Sequence, residues 1–423
     1  MKPYRLLTDF LAPLINLYLR IRQQRGREDQ DRFQERLGIA SLPRPAGKLV
    51  WCHAASVGEM MSVMTLLQAL RARHEEWTIL LTTGTVTSAQ LIAKRLPEGV
   101  LHQYVPVDRW SYVTHFLDHW QPDLALWIES ELWPNMLTAL KKRNVPAALL
   151  NGRMSERSYR RWRFIKNGAE KMLSVFSLGL AQTGTEANRF ASLGLKNVSA
   201  IGNLKYAATP LPCDENALLK LRTEIGERPV WLMASTHSGE EEIALRVHAK
   251  LARKRKNLLT IIVPRHPERG HEIAKIITKT GLSFAQRSKK EEITSATSLY
   301  LADTMGELGL FYRLTKTVCL AGSFTWGGHN PIEPVQLGCA VIFGPRMDNF
   351  SVMADDILGH RAAQQVDNEE ELIEALETHM EHPEESRRLI EAAKPWLKEK
   401  QSVLEETLLL LDPFFMTAKK AKA

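Results

Sequence analysis

The side chains best suited to acid–base chemistry follow apolar, strand-like runs in the first half of the 423-residue chain. Glu59 comes shortly after the run at 49–52 and opens the next amphipathic segment. Ligands of parallel α/β sheets bind beyond the carboxyl ends of the strands, so Glu59 is placed to accept a proton from a bound hydroxyl. The segment Ser56-Val-Gly-Glu59 also matches a capping box, and the local pattern by itself favours this structural role.

A pair of carboxylates follows the apolar run at 124–128. Glu129 and Glu131 point into the same expected crevice, and burying two carboxylates together costs free energy unless a ligand or a proton is bound there. A solvated loop is the alternative, but here the pattern favours function. Lys205, in a Gly-Asn-Leu-Lys segment, adds a cation that could neutralise a leaving phosphate, although a lone lysine more often lies at the surface.

A strand, a glycine-rich loop, a helix and a second strand are predicted from residue 318 to residue 343. Asn330 stands at the N-cap position of the helix, Pro331 at its first position and Glu333 three residues after the cap, and the helix is expected to end near Gly338. Free N–H groups at this helix N-terminus are predicted to bind a phosphate. The alternative is a plain capping box, in which Glu333 only reaches back to Asn330.

Arg265 and His266 follow another apolar run, at 258–263, and a guanidinium can bind a phosphate in a bidentate manner. The segment 303–308 follows a further strand-like run and begins a helix, which offers a second set of free N–H groups. His266 and His271 lack the spacing and the carboxylate neighbours of a metal site, so no metal is predicted.

Apolar runs alternate with amphipathic segments along most of the chain, which is the signature of doubly wound parallel sheets. The proline-bearing segment 207–214 is interpreted as a linker between two α/β domains around a cleft. A hydrophobic fraction of 44% and a charged fraction of 25% are typical of a globular protein. The net charge of +8 favours an acidic partner, and four scattered cysteines favour a reducing compartment.

Two segments suggest contact with a membrane. The apolar segment 4–19 is too short to span a bilayer and is followed by several arginines, which suits a helix lying in the membrane interface. A helix that packs on its own domain is an equally weighted alternative. The segment 153–171 is densely basic with interleaved aromatic residues, and it could bind nucleic acid or phosphorylated lipid, or be a solvated helix face. The apolar segment in the same domain favours lipid.

The motifs SVGE, ESELWPN, GNLK, PRHPER, DTMGEL and GGHNPIE, in this order, closely resemble the 3-deoxy-D-manno-octulosonic acid (Kdo) transferases of lipopolysaccharide synthesis. The resemblance implies a GT-B fold, in which two Rossmann-like doubly wound domains face a cleft, with an N-terminal membrane-associated helix. It also implies attachment to the cytoplasmic side of the inner membrane and an inverting reaction without metal or cofactor. CMP-Kdo would be the donor and lipid IVA, the lipid A precursor, the acceptor.

The same resemblance assigns roles residue by residue. Glu59 would be the general base, and Glu129 and Lys205 would support the transition state. The residues expected to hold CMP are Arg265, His266, Met305, Gly306, Glu307, Asn330, Pro331, Ile332 and Glu333. The expected domains are a membrane-associated segment 1–40, an acceptor domain 41–206, a donor domain 215–395 and a C-terminal helix with a basic tail, 396–423. Another GT-B transferase or epimerase, or a non-catalytic membrane-surface binding protein, is the alternative.

Overall fold

The computed structural model describes residues 2–93, 96–129, 131–207 and 209–420. The chain divides into two compact units, one formed by Met1–Ala208 with Lys400–Ala423 and the other by Thr209–Glu399. Within the described residues each unit is built around a seven-stranded parallel sheet. The prediction of two Rossmann-like α/β domains is therefore confirmed, whereas the exact domain bounds stay predictions.

The first unit contains a sheet in the order β3-β2-β1-β4-β5-β6-β7. Its strands are β1 (Lys48–His53), β2 (Trp77–Thr83), β3 (Val100–Tyr104), β4 (Leu124–Ile128), β5 (Ala147–Gly152), β6 (Phe176–Ala181) and β7 (Val198–Ala200). Its helices are α1 (Lys2–Phe10), α2 (Ala12–Gln24), α3 (Val57–Arg73), α4 (Val86–Ala93), α5 (Trp110–Trp120), α6 (Pro134–Lys142), α7 (Glu156–Phe164), α8 (Lys166–Leu173) and α9 (Gly184–Ser192).

The second unit contains a sheet in the order β10-β11-β9-β8-β12-β13-β14. Its strands are β8 (Val230–Thr236), β9 (Leu259–Pro264), β10 (Phe284–Gln286), β11 (Leu299–Leu301), β12 (Thr317–Leu320), β13 (Ala340–Phe343) and β14 (Ala363–Gln365). Its helices are α10 (Glu215–Ile225), α11 (Glu240–Leu251), α12 (Gly270–Lys279), α13 (Leu308–Tyr312), α14 (Ile332–Gln336), α15 (Ser351–Gly359), α16 (Glu369–Glu381) and the start of α17 (Pro383–Lys420).

The strands form because their side chains are apolar on both faces, as in sheets that helices cover on both sides. In β1, Trp51 packs into one core cluster while Val50 and Cys52 pack into the cluster on the opposite face. This alternation follows from the two-residue repeat of a strand. The sheet thereby becomes a rigid platform, and polar residues are left to the loops at its edges.

Each sheet has one switch point, where the chain reverses its direction of strand addition. In the first sheet the chain adds β2 and β3 on one side of β1 and then places β4 on the other side. In the second sheet it adds β9, β11 and β10 on one side of β8 and places β12 on the other. Ligands of such sheets bind in the crevice at the carboxyl ends of the strands at this point. The crevices lie between β1 and β4, and between β8 and β12.

Some predicted elements differ from the observed ones. The predicted N-terminal helix is two helices, α1 and α2, with a break at Leu11. α17 runs unbroken from Pro383 through the expected boundary at 396, because an alternation of apolar and charged residues continues across it. Residues 421–423 of the predicted basic tail, and residue 208 of the predicted linker, lie outside the described residues. In the part of the chain that is described, no helix combines the length and the hydropathy needed to cross a membrane.

Candidate functional site

Glu59 lies in the first turn of α3, at the crevice between β1 and β4. The Ser56 hydroxyl accepts a hydrogen bond from the Glu59 N–H (3.3 Å) and donates to Glu59 Oε1 (3.1 Å). Glu59 Oε2 accepts from the Ala55 N–H at 2.7 Å. The predicted capping box is therefore present in a modified form, in which the carboxylate reaches back to the N–H of Ala55 rather than to that of the N-cap residue, Ser56. It holds the carboxylate in one orientation at the crevice, so the structural role does not compete with a chemical one.

The electrostatic environment of Glu59 is unusual for a capping residue. Burial is the main reason why its pKa is raised to about 7, and the charges of Glu129 and Glu131 raise it further. The hydrogen bonds from Ala55 and Ser56 act in the opposite direction. A carboxyl group that titrates near neutral pH can accept a proton from a hydroxyl and retain it, as a general base must.

Glu129 and Lys205 are brought together at the same edge of the first sheet. Glu129 follows β4 with a left-handed φ of 58°, which is uncommon for a residue that has a Cβ. Lys205 lies on the short 3-10 turn Leu204–Ala207, which packs against α3. Its Nζ is 3.8 Å from Glu129 Oε1, in a partly buried ion pair. The crevice therefore holds a candidate base beside a paired acid and cation.

Arg265 and His266 come directly after β9 in the second unit. The Arg265 N–H donates to the carbonyl oxygen of Thr236 at 3.0 Å, while both side chains are exposed at the carboxyl edge of the sheet. His266 Nδ1 is 3.3 Å from Glu268 Oε1. The exposed guanidinium is thus available to an anion at this edge.

The segment Asn330–Glu333 follows β12, but its geometry differs from the predicted one. α14 begins at Ile332 rather than Pro331, and it ends at Gln336 because Leu337 and Gly338 already turn toward β13. Asn330 Oδ1 accepts from the Ile332 N–H at 3.1 Å, and the Asn330 amide nitrogen donates to Glu333 Oε1 at 3.3 Å. With five residues the helix has a small macrodipole, so its end is a weaker anion site than the sequence suggested.

The segment Met305–Glu307 follows β11, which lies two strands away from β8. Met305 is 75% exposed, and Gly306 has a φ of 87°. The Glu307 carboxylate accepts from the Arg287 guanidinium at 2.6 Å and from the Thr304 hydroxyl. This carboxylate already has strong partners, so the exposed backbone at Met305 and Gly306 is the part of the segment that a ligand can reach.

Two histidines to which the sequence analysis gave no individual role stand at the switch point of the second sheet. His237 follows β8 and His329 lies in the loop after β12, with their Nε2 atoms 3.0 Å apart. The His266 ring lies 5.8 Å from the His237 ring. Histidines from the loops after β8, β9 and β12 therefore meet at this edge, and the last of these loops also carries Asn330. Only the spatial order of the strands could have revealed that His237 and His329 are neighbours, because they are 92 residues apart in the chain.

The N-terminal helices make several polar docking contacts and bury Ala12 and Leu19, but they leave most of their large apolar side chains exposed. Asp9 pairs with Arg109 at 3.3 Å, and the Tyr112 hydroxyl donates to Asn16 Oδ1 at 2.6 Å. Phe10 is 83% exposed. We call the exposed set the N-terminal apolar face; it consists of Leu6, Leu7, Phe10, Leu14 and Leu17.

A second apolar feature lies beside these helices. A surface cavity of about 720 Å³ is lined by Pro3, Tyr4, Phe164, Ile165 and several neighbours. Phe164 is 91% exposed, and α7 carries exposed arginines and has no buried residue. Of the aromatic residues in this basic segment, Tyr159 and Trp162 pack against the core of the first unit, whereas Phe164 does not.

Comparisons with known proteins agree on one family. A family model described as 3-deoxy-D-manno-octulosonic-acid transferase (kdotransferase) matches residues 31–208. A probable mitochondrial 3-deoxy-D-manno-octulosonic acid transferase of Arabidopsis thaliana is 37% identical, over 90% of this chain and 88% of that protein. The 3-deoxy-D-manno-octulosonic acid transferase of Rickettsia bellii is 34% identical, over 98% of this chain and 100% of that protein.

The fold is shared more widely. UDP-GlcNAc 2-epimerase from Neisseria meningitidis, solved with UDP-GlcNAc bound, is similar over 86% of this chain and 99% of that chain. The TM-score is 0.59 at 14% sequence identity, so this likeness concerns the architecture alone.

Proposed function

Since this chain belongs to the 3-deoxy-D-manno-octulosonic acid transferase family, we propose that it moves Kdo from CMP-Kdo to lipid IVA in lipopolysaccharide synthesis. The family makes it a glycosyltransferase. The observation that carries the proposed mechanism is the buried Glu59 carboxyl at the switch point of the first sheet, with a pKa of about 7.

In the proposed reaction, Glu59 removes the proton from an acceptor hydroxyl of lipid IVA. The oxygen then attacks the anomeric carbon of Kdo from the side opposite CMP, the bond to the phosphate breaks, and the configuration inverts. Positive charge develops on the sugar while negative charge develops on the departing CMP. Glu129 and Lys205, 3.8 Å apart, would stabilise these opposite charges as a pair.

The proposed donor site follows the carboxyl edge of the second sheet. Arg265 and His266 would bind the phosphate, because their exposed side chains offer several N–H donors. Asn330 and Glu333 would bind the ribose hydroxyls, and the backbone at Met305 and Gly306 would bind the cytosine. Pro331 and Ile332 are buried, and Glu307 is tied to Arg287, so these residues would shape the site rather than contact CMP through their side chains.

The proposed location is the cytoplasmic side of the inner membrane. Support comes from the N-terminal apolar face, where polar docking contacts leave five large apolar side chains in solvent. An exposed apolar surface flanked by arginines is favoured at an anionic membrane interface. The acceptor, an acylated and phosphorylated disaccharide, resides in that membrane.

The test is mass spectrometry of lipid IVA after incubation with CMP-Kdo and the full chain. The wild type is expected to add at least one Kdo, and Glu59→Gln to add none. Glu186→Gln is the matched control, because Glu186 closes an equivalent capping box with Thr183 after β6, away from the switch point. Absence of product with folded wild type would refute the proposed reaction. Near-native transfer by Glu59→Gln would refute only the role of Glu59.

A further inference from the structure

The histidine pair at the switch point of the second sheet, His237 and His329, is a cluster of titratable side chains to which the proposed function assigns no role. The rings of His237 and His329 are inclined by 7°, with centroids 5.1 Å apart. Trp326 lies almost parallel to His237, at 4.9 Å and 9°, and its side chain is largely exposed. His237 therefore stacks on an aromatic ring that solvent can reach, at the edge of the sheet where ligands of such folds bind.

The backbone around the pair is built to hold it. Glu240, which is fully buried, accepts hydrogen bonds from the N–H groups of His237 (2.9 Å) and Gly322 (2.7 Å), and so joins the loop after β8 to the loop after β12. Gly322 has a φ of 72°, and a Cβ there would lie 2.7 Å from the His329 ring. Ser235 also adopts a left-handed φ, of 65°. Strain of this kind persists where the surrounding structure enforces it.

The two rings share one hydrogen bond. The Nε2 atoms of His237 and His329 lie 3.0 Å apart, so one of them carries a proton and the other accepts it. When both nitrogens of His237 are protonated, its Nε2–H donates to His329 Nε2. Nδ1 of His237 is left without a hydrogen bond within the described part of the chain.

The charges that face His237 come from three elements. Arg265, His266 and Arg269 follow β9; together with burial, which is the larger cause, they lower the pKa of His237. His329, from the loop after β12, is also kept neutral by burial. On α11, Glu240 is bound by backbone N–H groups and Glu241 by Arg269 at 2.8 Å. An anion bound among these cations would oppose their effect and favour the protonated form of His237.

We propose that His237 is a further donor-binding residue, whose protonated Nδ1 donates a hydrogen bond to an anionic oxygen of the sugar nucleotide. Ligand binding then takes up a proton from solution. This inference rests on the proposed function, because that function supplies an anionic ligand with two sources of the oxygen, the phosphate of CMP and the carboxylate of Kdo. His329 acts as a positioning residue, since it holds the ring of His237 through Nε2.

The test is calorimetry of CMP binding to the full chain at pH 7.5 in two buffers of different ionisation enthalpy, together with the KM for CMP-Kdo. In the wild type, the two buffers should give different enthalpies, which report proton uptake.

Two variants of His237 test which nitrogen binds the anion. His237→Gln keeps an N–H near the Nε2 position, and His237→Asn keeps one near Nδ1. Both should abolish the uptake, but Gln should weaken binding about tenfold or more while Asn retains part of it. His271→Gln, an exposed histidine on α12, is the control and should behave as wild type.

The outcomes distinguish the phosphate of CMP from the carboxylate of Kdo as the source of the anionic oxygen. They also distinguish failure of this inference from failure of the proposed function. Weaker CMP binding by His237→Gln assigns the phosphate to His237. Unchanged CMP binding with a raised KM for CMP-Kdo assigns the carboxylate, and the proton uptake then appears only with the full donor. Wild-type affinity, KM and proton uptake in His237→Gln would overturn the inference while the proposed function stands. A wild type that binds neither CMP nor CMP-Kdo would overturn both.

Discussion

Two glutamates in the first unit show how the same local motif acquires different chemistry. Glu59 and Glu186 both occupy the third position of a capped helix; Glu59 is buried and Glu186 is partly buried. Burial raises the pKa of both carboxyl groups, but the charges of Arg153 and Arg189 lower that of Glu186. The neighbours of Glu59 include two carboxylates, which disfavour its ionised form. The motif places the carboxylate and burial raises its pKa, while the neighbouring charges increase the rise at Glu59 and oppose it at Glu186.

We expect the pH dependence of kcat/KM to report Glu59. Since a base acts when ionised, the rate should rise through a pKa of about 7. It should fall about fivefold from pH 7 to pH 6. The measurement is initial transfer rate at low substrate concentration across pH 5.5–8.5. Glu186→Gln should keep the same profile, and a wild-type profile that stays flat across this range would exclude Glu59 as the base.

The raised pKa of Glu59 also predicts a pH-dependent stability. Between the ordinary carboxyl value of 4.5 and about 7, the folded protein binds more protons at Glu59 than the unfolded chain does. Stability from this group is therefore lost as pH rises through that window. Relative to Glu59→Gln, which cannot ionise, the wild type should lose Tm as the pH is raised from 5 to 8. Thermal unfolding at several pH values measures the difference, and a constant gap between the two proteins would contradict the raised pKa.

At the scale of single loops, the turn after β12 has no space for a larger residue. Gly322→Ala should destabilise the protein, because left-handed strain adds about 1–2 kcal/mol and the new methyl group also meets the His329 ring. Gly338→Ala is the matched control, with a φ of 73° and nothing within 4 Å of the added carbon. Urea unfolding should show a larger loss for Gly322→Ala. Equal losses of stability in the two variants would mean that His329 can move away from the added methyl group without a measurable cost in free energy.

The N-terminal helices make a separate prediction. Serine at Phe10, Leu14 and Leu17 removes much of the N-terminal apolar face, and burial of each such side chain contributes about 1.5–3 kcal/mol. Binding to vesicles with anionic lipids should therefore weaken more than tenfold while the melting temperature is kept. Vesicle sedimentation measures the binding. Serine at Leu219 and Leu409, two exposed leucines elsewhere, is the control and should leave binding unchanged. Equal binding by all three proteins would show that this face packs against something other than lipid.

Across the whole molecule, the sequence predicted the architecture well because buried parallel strands are apolar runs of recognisable length. It also placed Glu59 and Arg265 after the correct strands, since a loop residue keeps its position in the chain order. Strand order in space could not be read in this way. The closeness of His237 and His329 depends on β8 and β12 being neighbours, although three strands separate them along the chain. The predicted extent of α14 was wrong for a local reason, because the chain turns toward β13 after only five helical residues.

The division into two units predicts that three activities can be separated by mutation. Arg265→Ala removes a guanidinium from the second unit and should weaken CMP binding about 10- to 100-fold, the range for a hydrogen bond to a charged group. It should leave vesicle binding unchanged, because the N-terminal apolar face belongs to the first unit. Glu59→Gln should lose transfer but keep both CMP and vesicle binding. Arg253→Ala, an exposed arginine after α11, is the control for loss of charge. Calorimetry and sedimentation on the same preparations decide the matter: if Arg265→Ala also released the protein from vesicles, donor and membrane binding would share one surface, and the proposed assignment of the two units would have to be withdrawn.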